Sequence, residues 1–439
     1  MPFLTIFLLA WQRLPRKISR VHTTNAFKSI STLPNLMTLN RRQFSKRTLL
    51  GAALIPIAPF GLAQTSWADI EKKARGQTVV FNAWGGSERI NAYLAWAGEQ
   101  VLRNYGVKLD HVKLTDTVEA VKRVRTEKAA SRINNGSVDL VWINGENFLA
   151  MKRESMLFGP WAESLPSFKF VDVEGKPTTR IDFAEPVQGM EAPWGMAQLT
   201  FFADRSKTPS PPRSTADLLE FAKANPGRVT YPKPPQFHGT TFLKQILMDL
   251  TPAADRAALY KPFDAAALTK IAEPLWKHLD ALHPHLWRNG KQFPANAAAL
   301  RQMMADGELS LAITFNPNEA ANEIAAFRLP ASVASYQFDS GTIGNTHFLA
   351  IPFNSKTKEA AQVVANFLLS PAAQARKGDI KVWGDPTVLS PAKMNAQDAA
   401  LFVAAKAPGQ VERFAPVIPE PHGSWVDPIE KEWQKRYGA

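Results

Sequence analysis

The chain has 439 residues, of which 45% are hydrophobic and 21% are charged, so it is long enough for two or three domains with substantial cores. Its formal net charge is +13, but residues 1–68 hold nine Lys or Arg and no acidic residue, which leaves 43 basic against 39 acidic residues elsewhere. This balance argues against nucleic acid or an anionic membrane as a partner. The absence of cysteine excludes disulfides, a catalytic thiol, thiolate metal sites and a lipid-anchoring cysteine.

Residues 1–68 have the pattern of an export signal. Asn40 to Lys46 contains paired arginines followed by Phe and Lys, as in a twin-arginine signal. Leu49 to Leu62 adds a moderately apolar segment that two prolines interrupt, too short to serve as a membrane anchor. A mitochondrial transit peptide is the alternative interpretation.

Two small-residue motifs offer cleavage sites, Ser66-Trp67-Ala68 and Gly61-Leu62-Ala63. The signal is complete from Met37 onward, so Met37 is a second candidate for the translation start. We expect an exported protein that is free in a periplasm.

The stretch from Val79 to Ser87 predicts a strand that ends at a ligand-binding loop. Its β-favouring residues run into Trp84, Gly85 and Gly86, followed by a Ser that can cap a helix. Glu88 to Tyr105 then places apolar residues on one helical face. Glycines let the backbone approach a ligand, and a helix N-terminus offers free N–H donors. An ordinary strand–helix turn is the alternative interpretation.

The next segments continue the alternation of strand and helix that is typical of parallel βαβ units. Val107 to Leu114 predicts a strand, Asp116 to about Ala130 a helix with a capping Glu, and Val138 to Ile143 a third strand. The third strand leads into a second glycine-containing loop, Asn144 to Phe148. Loops that follow neighbouring parallel strands lie at one edge of a sheet, so we expect the two loops to converge.

The middle of the chain predicts a crossing into a second lobe. Ala192 to Phe202 is an extended run that we interpret as the crossing strand. A helix is expected from Ser214 to about Ala224, followed by a short strand from Gly227 to Tyr231. Gln236 to Thr241 then forms a polar loop before a helix predicted from Phe242 to about Leu250.

The remaining segments predict the rest of this lobe and a return crossing. Residues 252–305 are Ala-rich and favour helix, and Leu309 to Thr314 predicts a buried strand that enters the polar loop Phe315 to Glu319. Gly341 to Pro352 predicts a long strand back to the first lobe, and Thr357 to Leu369 a helix that covers it.

This order of elements resembles a type II periplasmic solute-binding protein of an ABC importer. Gly307-Glu308 with the strand into Phe315-Asn316 resembles the family's strand into the second-lobe ligand loop. Leu349 to Pro352, followed by a helix that ends at Ser370-Pro371, resembles its crossing strand and the helix after it. The resemblance covers about Thr78 to Ser390, and its early part is closest to the YnjB-like branch.

The resemblance implies an α/β fold with two lobes, two crossing strands and a ligand cleft between the lobes. Residues 1–68 would be the upstream segment and signal peptide, 76–198 and 341–439 lobe one, and 199–340 lobe two. Such a protein is a monomeric, non-catalytic receptor whose lobes close on a small solute and deliver it to an ABC permease. A periplasmic hydrolase or transferase of unrecognised type is the alternative.

The predicted cleft combines aromatic and acidic residues, which suit an organic cation such as a thiamine-like molecule through cation–π contacts and ion pairing. Helix N-termini at Ser87 and Thr240 would suit an anionic group. Polyamine-binding members of the family have an aromatic and an acid where this chain has Asn345 and His347, which argues against a polyamine. The predicted ligand-binding residues are Trp84, Gly85, Gly86, Ser87, Asn144, Gly145, Glu146, Trp194, His238, Gly239, Thr240, Thr241, Phe315, Asn316, Glu319 and Asn345.

No catalytic residue, cofactor or metal site is predicted. The sequence contains no G-x-S-x-G, H-E-x-x-H or P-loop motif. His278, His283 and His285 suggest zinc, but no carboxylate is regularly spaced beside them and Pro284 stiffens the pair, so a surface cluster is favoured.

Overall fold

A computed structural model describes residues 66–402 and 406–438, and the predicted export signal lies outside these residues except for its last three positions. The strands are β1 (Thr78–Trp84), β2 (Lys108–Leu114), β3 (Leu140–Ile143), β4 (Ile181–Asp182), β5 (Glu185–Pro186), β6 (Glu191–Gln198), β7 (Thr200–Asp204), β8 (Leu311–Thr314), β9 (Val333–Tyr336), β10 (Thr342–Ala350) and β11 (Val417–Pro419). The helices are α1 (Trp67–Ala74), α2 (Glu88–Tyr105), α3 (Val118–Ala129), α4 (Gly145–Arg153), α5 (Thr215–Ala224), α6 (Phe237–Leu250), α7 (Arg256–Leu259), α8 (Ala265–Leu282), α9 (Ala297–Ala305), α10 (Glu319–Ala325), α11 (Lys358–Leu368), α12 (Pro371–Gly378), α13 (Ala396–Ala400) and α14 (Val426–Tyr437). None of the helices described has the length and apolar character that a membrane crossing requires.

The larger sheet has the order β11–β10–β3–β1–β2, with β6 along the other edge of β10. Strand β1 is parallel to both β2 and β3, whereas β10 is antiparallel to β3 and β6. Because β1 and β3 are parallel, the residues that follow each of them lie at the same edge of the sheet. The sheet and its helices are called lobe one below.

The smaller sheet is antiparallel, with the order β8–β7–β9, and with its helices forms lobe two. Only Leu199 separates β6 from β7, so the chain passes from one sheet into the other almost without a turn. The chain returns after β9 through β10, which pairs with β6 over most of its length. The two predicted crossing strands are therefore adjacent strands of one sheet.

Local sequence chemistry explains where the helices of lobe one begin and end. Helix α2 spans the predicted residues Glu88–Tyr105 and ends at Gly106, whose φ of 66° suits glycine and whose N–H donates to the carbonyl of Leu102. Helix α3 begins after Asp116, whose N–H donates to the Glu119 carboxylate at 3.0 Å. This contact is one half of the predicted capping interaction, because the Asp116 carboxylate accepts from the Val118 N–H at 2.9 Å instead of from the Glu119 N–H.

Each lobe has its own apolar core. Phe81, Leu94 and Val364 are fully buried in lobe one, and Phe202 and Leu247 in lobe two. The C-terminal helix α14 contributes Ile429 and Trp433 to the core of lobe two, and Trp425, directly before the helix, packs in the same core. The predicted lobe ranges stay a prediction, and this packing favours placing α14 with lobe two instead of lobe one.

Three local predictions differ from the structure. Gly227 to Tyr231 forms no strand, because its backbone groups form hydrogen bonds with segments outside the sheets. For example, the Trp287 N–H donates to the Val229 carbonyl at 2.8 Å. Most of the loop predicted at Asn144 to Phe148 is the first turn of α4. Most of the loop predicted at Gln236 to Thr241 is likewise the first turn of α6.

Candidate functional site

The N-terminus of α4 in lobe one faces a group of acidic side chains. The Gly145 N–H donates to Asp182 Oδ2 at 2.7 Å, and a Cβ on Gly145 would come within 2.7 Å of the Phe183 ring. A Cβ on Gly423 would come within 3.1 Å of the Glu146 nitrogen, so the segment before α14 lies directly against α4. The two glycines allow this close approach of backbones.

Five carboxyl groups lie near one another in this region, and one ammonium acts on all of them except Glu191. We call them the acidic cluster: Glu146, Asp182, Glu191, Glu420 and Glu430. The ammonium belongs to Lys244, in the middle of α6, whose side chain is only 2% exposed. The members come from both lobes and from the C-terminal segment, so the cluster lies where these parts of the chain meet.

Lys244 is held by a carboxylate and an aromatic ring. Its Nζ lies 2.7 Å from Glu420 Oε2 and 4.3 Å from the centre of the Phe183 ring. A second ring, that of Phe237, is 5.8 Å from the same nitrogen. The Asn345 amide donates to Glu420 Oε1 at 3.0 Å, so the carboxylate is fixed from two sides.

Glu146 and Glu430 are weak acids in this environment. Burial raises the pKa of Glu146 to about 7, although the charge of Lys244 opposes the increase. Burial also raises the pKa of Glu430 to about 7, and the negative charge of Glu146 adds to the effect. Glu430 accepts a hydrogen bond from Thr240 Oγ1 at 2.6 Å, which joins α14 to the first turn of α6.

Asp182 and Glu191 are almost completely buried, with 1% of each residue exposed. Among the described residues, Asp182 Oδ1 and both carboxylate oxygens of Glu191 have no hydrogen-bond partner. Burial raises the pKa of both carboxyl groups well above the usual range, and each carboxylate is disfavoured further by neighbouring acids. The charges of Lys244 and Lys152 oppose this effect on Asp182 and Glu191 respectively, so a further positive charge nearby would favour the ionised form of each.

At the N-termini of α4 and α6 the protein's own oxygens accept hydrogen bonds from backbone N–H groups that might have attracted an anion. Gln236 Oε1 accepts from the N–H groups of His238 and Gly239 at 2.9 and 3.3 Å, at the start of α6. Asp182 takes the first N–H of α4. These contacts remove the physical basis for the predicted anion site at Thr240, because the donors are already used.

Several predicted residues meet at the acidic cluster. Phe315 packs edge-on against Phe237 with ring centres 5.2 Å apart, so the end of β8 adjoins α6. Burial lowers the pKa of His238 to about 4, which keeps its imidazole neutral at neutral pH. The predicted residues that lie in or next to the cluster are Asn144, Gly145, Glu146, His238, Gly239, Thr240, Thr241, Phe315 and Asn345.

Other predicted residues belong to a second contact between the lobes. Arg89, in the first turn of α2, donates to the carbonyls of Asn322 at 2.7 Å and Lys381 at 2.9 Å. The Asn316 amide of lobe two donates to the Trp383 carbonyl of lobe one at 3.3 Å. The predicted residues near this contact are Trp84, Gly85, Gly86, Ser87, Asn316 and Glu319.

Glu319 and Trp194 have local partners instead of an open face. Arg301 Nη1 lies 2.5 Å from Glu319 Oε1, so this acid already has a cation. Trp194 is fully buried, and its ring packs against Trp142 and Trp383 in the core of lobe one. These contacts place both residues in structural roles in this conformation.

The sequence prediction missed most of the acidic cluster. Lys244 is a charged residue inside the apolar segment Phe242 to Met248, and this pattern was the signal that could have identified it. Asp182 and Glu191 lie in a part of the chain without clear periodicity. Glu420 and Glu430 follow the last predicted helix by many residues, so no local pattern linked them to the cleft.

Comparison with known proteins identifies the family. Residues 88–402 match the model of the bacterial extracellular solute-binding proteins. The chain belongs to this family. It is similar to the protein YnjB of Escherichia coli (strain K12), with 49% identity over 392 residues that cover 89% of this chain and 98% of that protein. The predicted resemblance to the YnjB-like branch is confirmed.

Solved structures of other solute-binding proteins share the fold. The periplasmic binding protein AfuA of Actinobacillus pleuropneumoniae, with fructose-6-phosphate bound, has a TM-score of 0.58 and 13% identity over 83% of this chain and 99% of its own. The spermidine/putrescine binding protein PotD of Streptococcus pneumoniae has a TM-score of 0.56 and 12% identity over 82% and 96%. The two-lobed fold is therefore confirmed. The chain is an extracellular solute-binding protein and not an enzyme.

Proposed function

We propose that this solute-binding protein captures a small organic cation at the acidic cluster and delivers it to a membrane permease. The observation that supports the proposal is the group of buried or partly buried acids around Lys244, two of which, Glu146 and Glu430, have no basic side chain within salt-bridge distance among the described residues. A cation that enters the cleft would supply the missing positive charge, and the Phe183 and Phe237 rings would contact its apolar surface.

The fold alone does not decide the ligand, because AfuA holds fructose-6-phosphate and PotD belongs to a spermidine/putrescine transporter. The charge of the cleft is the more informative property. A thiamine-like molecule, which combines one fixed positive charge with aromatic rings, fits carboxylates and aromatic rings together. We therefore favour a thiamine-like or related organic cation.

We further propose a periplasmic monomer that reaches its compartment by the twin-arginine route. The arginine pair Arg41-Arg42 and the family's extracellular members support this proposal. Replacing both arginines with Lys should block export, which fractionation of cells would measure. Unchanged periplasmic recovery would contradict the route.

The first test is thermal unfolding of the chain from Gln64 in the presence of candidate solutes. The panel contains thiamine, thiamine phosphate, choline, simple amines, amino acids, sugar phosphates and inorganic anions. A ligand at a hundred times its Kd should stabilise the folded state by about 2.7 kcal/mol. A response to anions alone, with none to any cation, would overturn the proposal.

Glu146→Gln tests the cluster itself. At pH 8, where the Glu146 carboxylate is ionised, this change should weaken a bound cation more than tenfold, or by about 1.4 kcal/mol or more. The matched control is Glu273→Gln, which alters an exposed acid on α8. Titration calorimetry measures both, and equal affinities in the two variants would remove Glu146 from the site.

A further inference from the structure

The acids of the cluster differ in whether a basic side chain balances their charge. The side chain of Glu420 is 1% exposed and is balanced: its Oε2 lies 2.7 Å from Lys244 Nζ, and its Oε1 accepts from the Asn345 amide at 3.0 Å. Glu146 on α4 and Glu430 on α14 are not balanced in this way, because neither has a basic side chain within salt-bridge distance among the described residues.

The surroundings of Lys244 Nζ are those of a bound alkylammonium ion. One carboxylate pairs with it, and the face of Phe183 lies 4.3 Å away. A lysine side chain ends in the same group that a primary amine ligand would present. The covalent tether keeps this ammonium in place whether or not a solute is bound.

We propose that Lys244 is a built-in ammonium that fills one of two cation subsites, so the cleft selects organic monocations over dications. This inference rests on the proposed function, because it specifies how much charge the same site accepts. A monocation would pair with Glu146 and Glu430. A diamine would have to place its second ammonium beside Lys244, whose charge repels it, and the remaining carboxyl group there, Asp182, is buried in surroundings that disfavour its ionised form.

The test compares butylamine with butane-1,4-diamine, which have the same chain and differ by one ammonium group. Titration calorimetry at pH 8 measures both Kd values for the wild type, Lys244→Met and the double variant Lys244→Met/Glu420→Gln. The wild type should bind the monoamine more tightly than the diamine. Lys244→Met frees the Glu420 subsite and should improve diamine affinity relative to monoamine at least tenfold.

The double variant distinguishes the effect of the Glu420 charge from the effect of the room that the lysine substitution leaves. It removes the same lysine and also neutralises Glu420, so it should not gain diamine preference, whereas a gain would mean that added room explains the effect and would overturn the inference. Lys244→Gln is a second variant that retains a donor for Glu420 if the Met variant fails to fold. Lys244→Arg keeps the positive charge and should keep wild-type selectivity.

The outcomes separate this inference from the proposed function. A wild type that binds the diamine as tightly as the monoamine, or more tightly, overturns the inference, as does an unchanged preference in Lys244→Met and Lys244→Gln. In both cases the wild type still binds cations and the proposed function stands. A wild type that responds to no organic cation in the solute panel overturns both.

Discussion

Glu146 and Glu430 are acids that ionise near neutral pH, and this property couples cation binding to protons. Burial raises the pKa of each to about 7, and the groups that face Glu146 are Lys244, Asp116 and Glu420. In the free protein a proton neutralises these acids, whereas a bound cation favours their ionised form. A proton and a cationic solute therefore compete for the same site.

We expect affinity for a cationic solute to fall as the pH is lowered from 8 to 6. Both groups have pKa values above that of an ordinary Glu, so protonation sets in as the pH drops through about 7. The loss should be tenfold or more, since each group that must lose its proton contributes up to a factor of ten per pH unit. Calorimetry in two buffers of different ionisation enthalpy should detect proton release at pH 7. The variant Glu146→Gln/Glu430→Gln should show little pH dependence, and an unchanged pH profile in it would contradict the coupling.

A second buried charge pair lies in lobe one and is structural. Lys377 is fully buried, and its Nζ donates to Asp385 Oδ2 and to the Trp194 carbonyl. His347 Nε2 lies 3.2 Å from the same carboxylate oxygen. A Cβ on Gly195 would come within 2.0 Å of this oxygen, so only glycine lets β6 pass so close.

Asp385→Ala should reduce the free energy of unfolding by about 3–5 kcal/mol, because it leaves the Lys377 ammonium buried without its counter-charge. Urea denaturation measures the loss. The control is Glu273→Gln, which breaks an exposed pair and should cost less than about 1 kcal/mol. Similar midpoints for the two variants would show that Asp385 does not stabilise the buried lysine.

At the scale of elements, periodic segments were predictable and capped helix starts were less so. Helix α2 has the predicted bounds because its apolar residues recur at helical spacing and Gly106 ends it. The sequence predicts a loop at Asn144 to Phe148, whereas Gly145 begins α4 with a φ of 62°. The cluster around Lys244 depends on contacts between segments far apart in the chain, such as Lys244 with Glu420. Such tertiary pairs leave no local periodicity, so the sequence predicts a ligand-binding role for Glu146 but none for Lys244 or Glu420.

Helix α1 bears on which of the two predicted cleavage sites is used. Ser66 caps this helix, because its side chain accepts from the Asp69 N–H, and Ile70 and Ala74 are buried in the core of lobe one. Cleavage after Ala68 would remove both the cap and the first two residues of the helix. Cleavage after Ala63 would leave both in place, and we therefore expect a mature N-terminus at Gln64.

The mass of the exported protein tests this expectation, and a mature N-terminus at Asp69 would contradict it. The contribution of the Ser66 cap to stability can be measured separately. Ser66→Ala in the chain from Gln64 should lower the free energy of unfolding by about 1 kcal/mol, as for other N-caps. The exposed Ser137→Ala lies outside any helix start and serves as a matched control.

At the scale of the whole molecule, the contacts between lobes determine how readily the cleft opens. Lobe-two amides donate to carbonyls of the lobe-one segment 379–385, including Asn318 to Gly384 at 2.6 Å and Asn316 to Trp383 at 3.3 Å. Arg89 adds a charged donor that reaches Asn322 across the same boundary. These contacts stabilise the closed arrangement, and a receptor must balance them against opening to exchange its solute.

Arg89→Ala should shift this balance toward the open form. A hydrogen bond from a charged donor contributes about 1.5–3 kcal/mol, so losing the contact with Asn322 should change the closed-to-open ratio roughly tenfold or more. Small-angle scattering of the solute-free protein should then give a larger radius of gyration. The solute's apparent Kd should rise as the closed fraction falls, because only the closed form makes all the contacts. Arg103→Ala, an exposed change in the last turn of the same helix, should alter neither quantity. If Arg89→Ala matched this control in both scattering and affinity, the contact with Asn322 would have no part in closure.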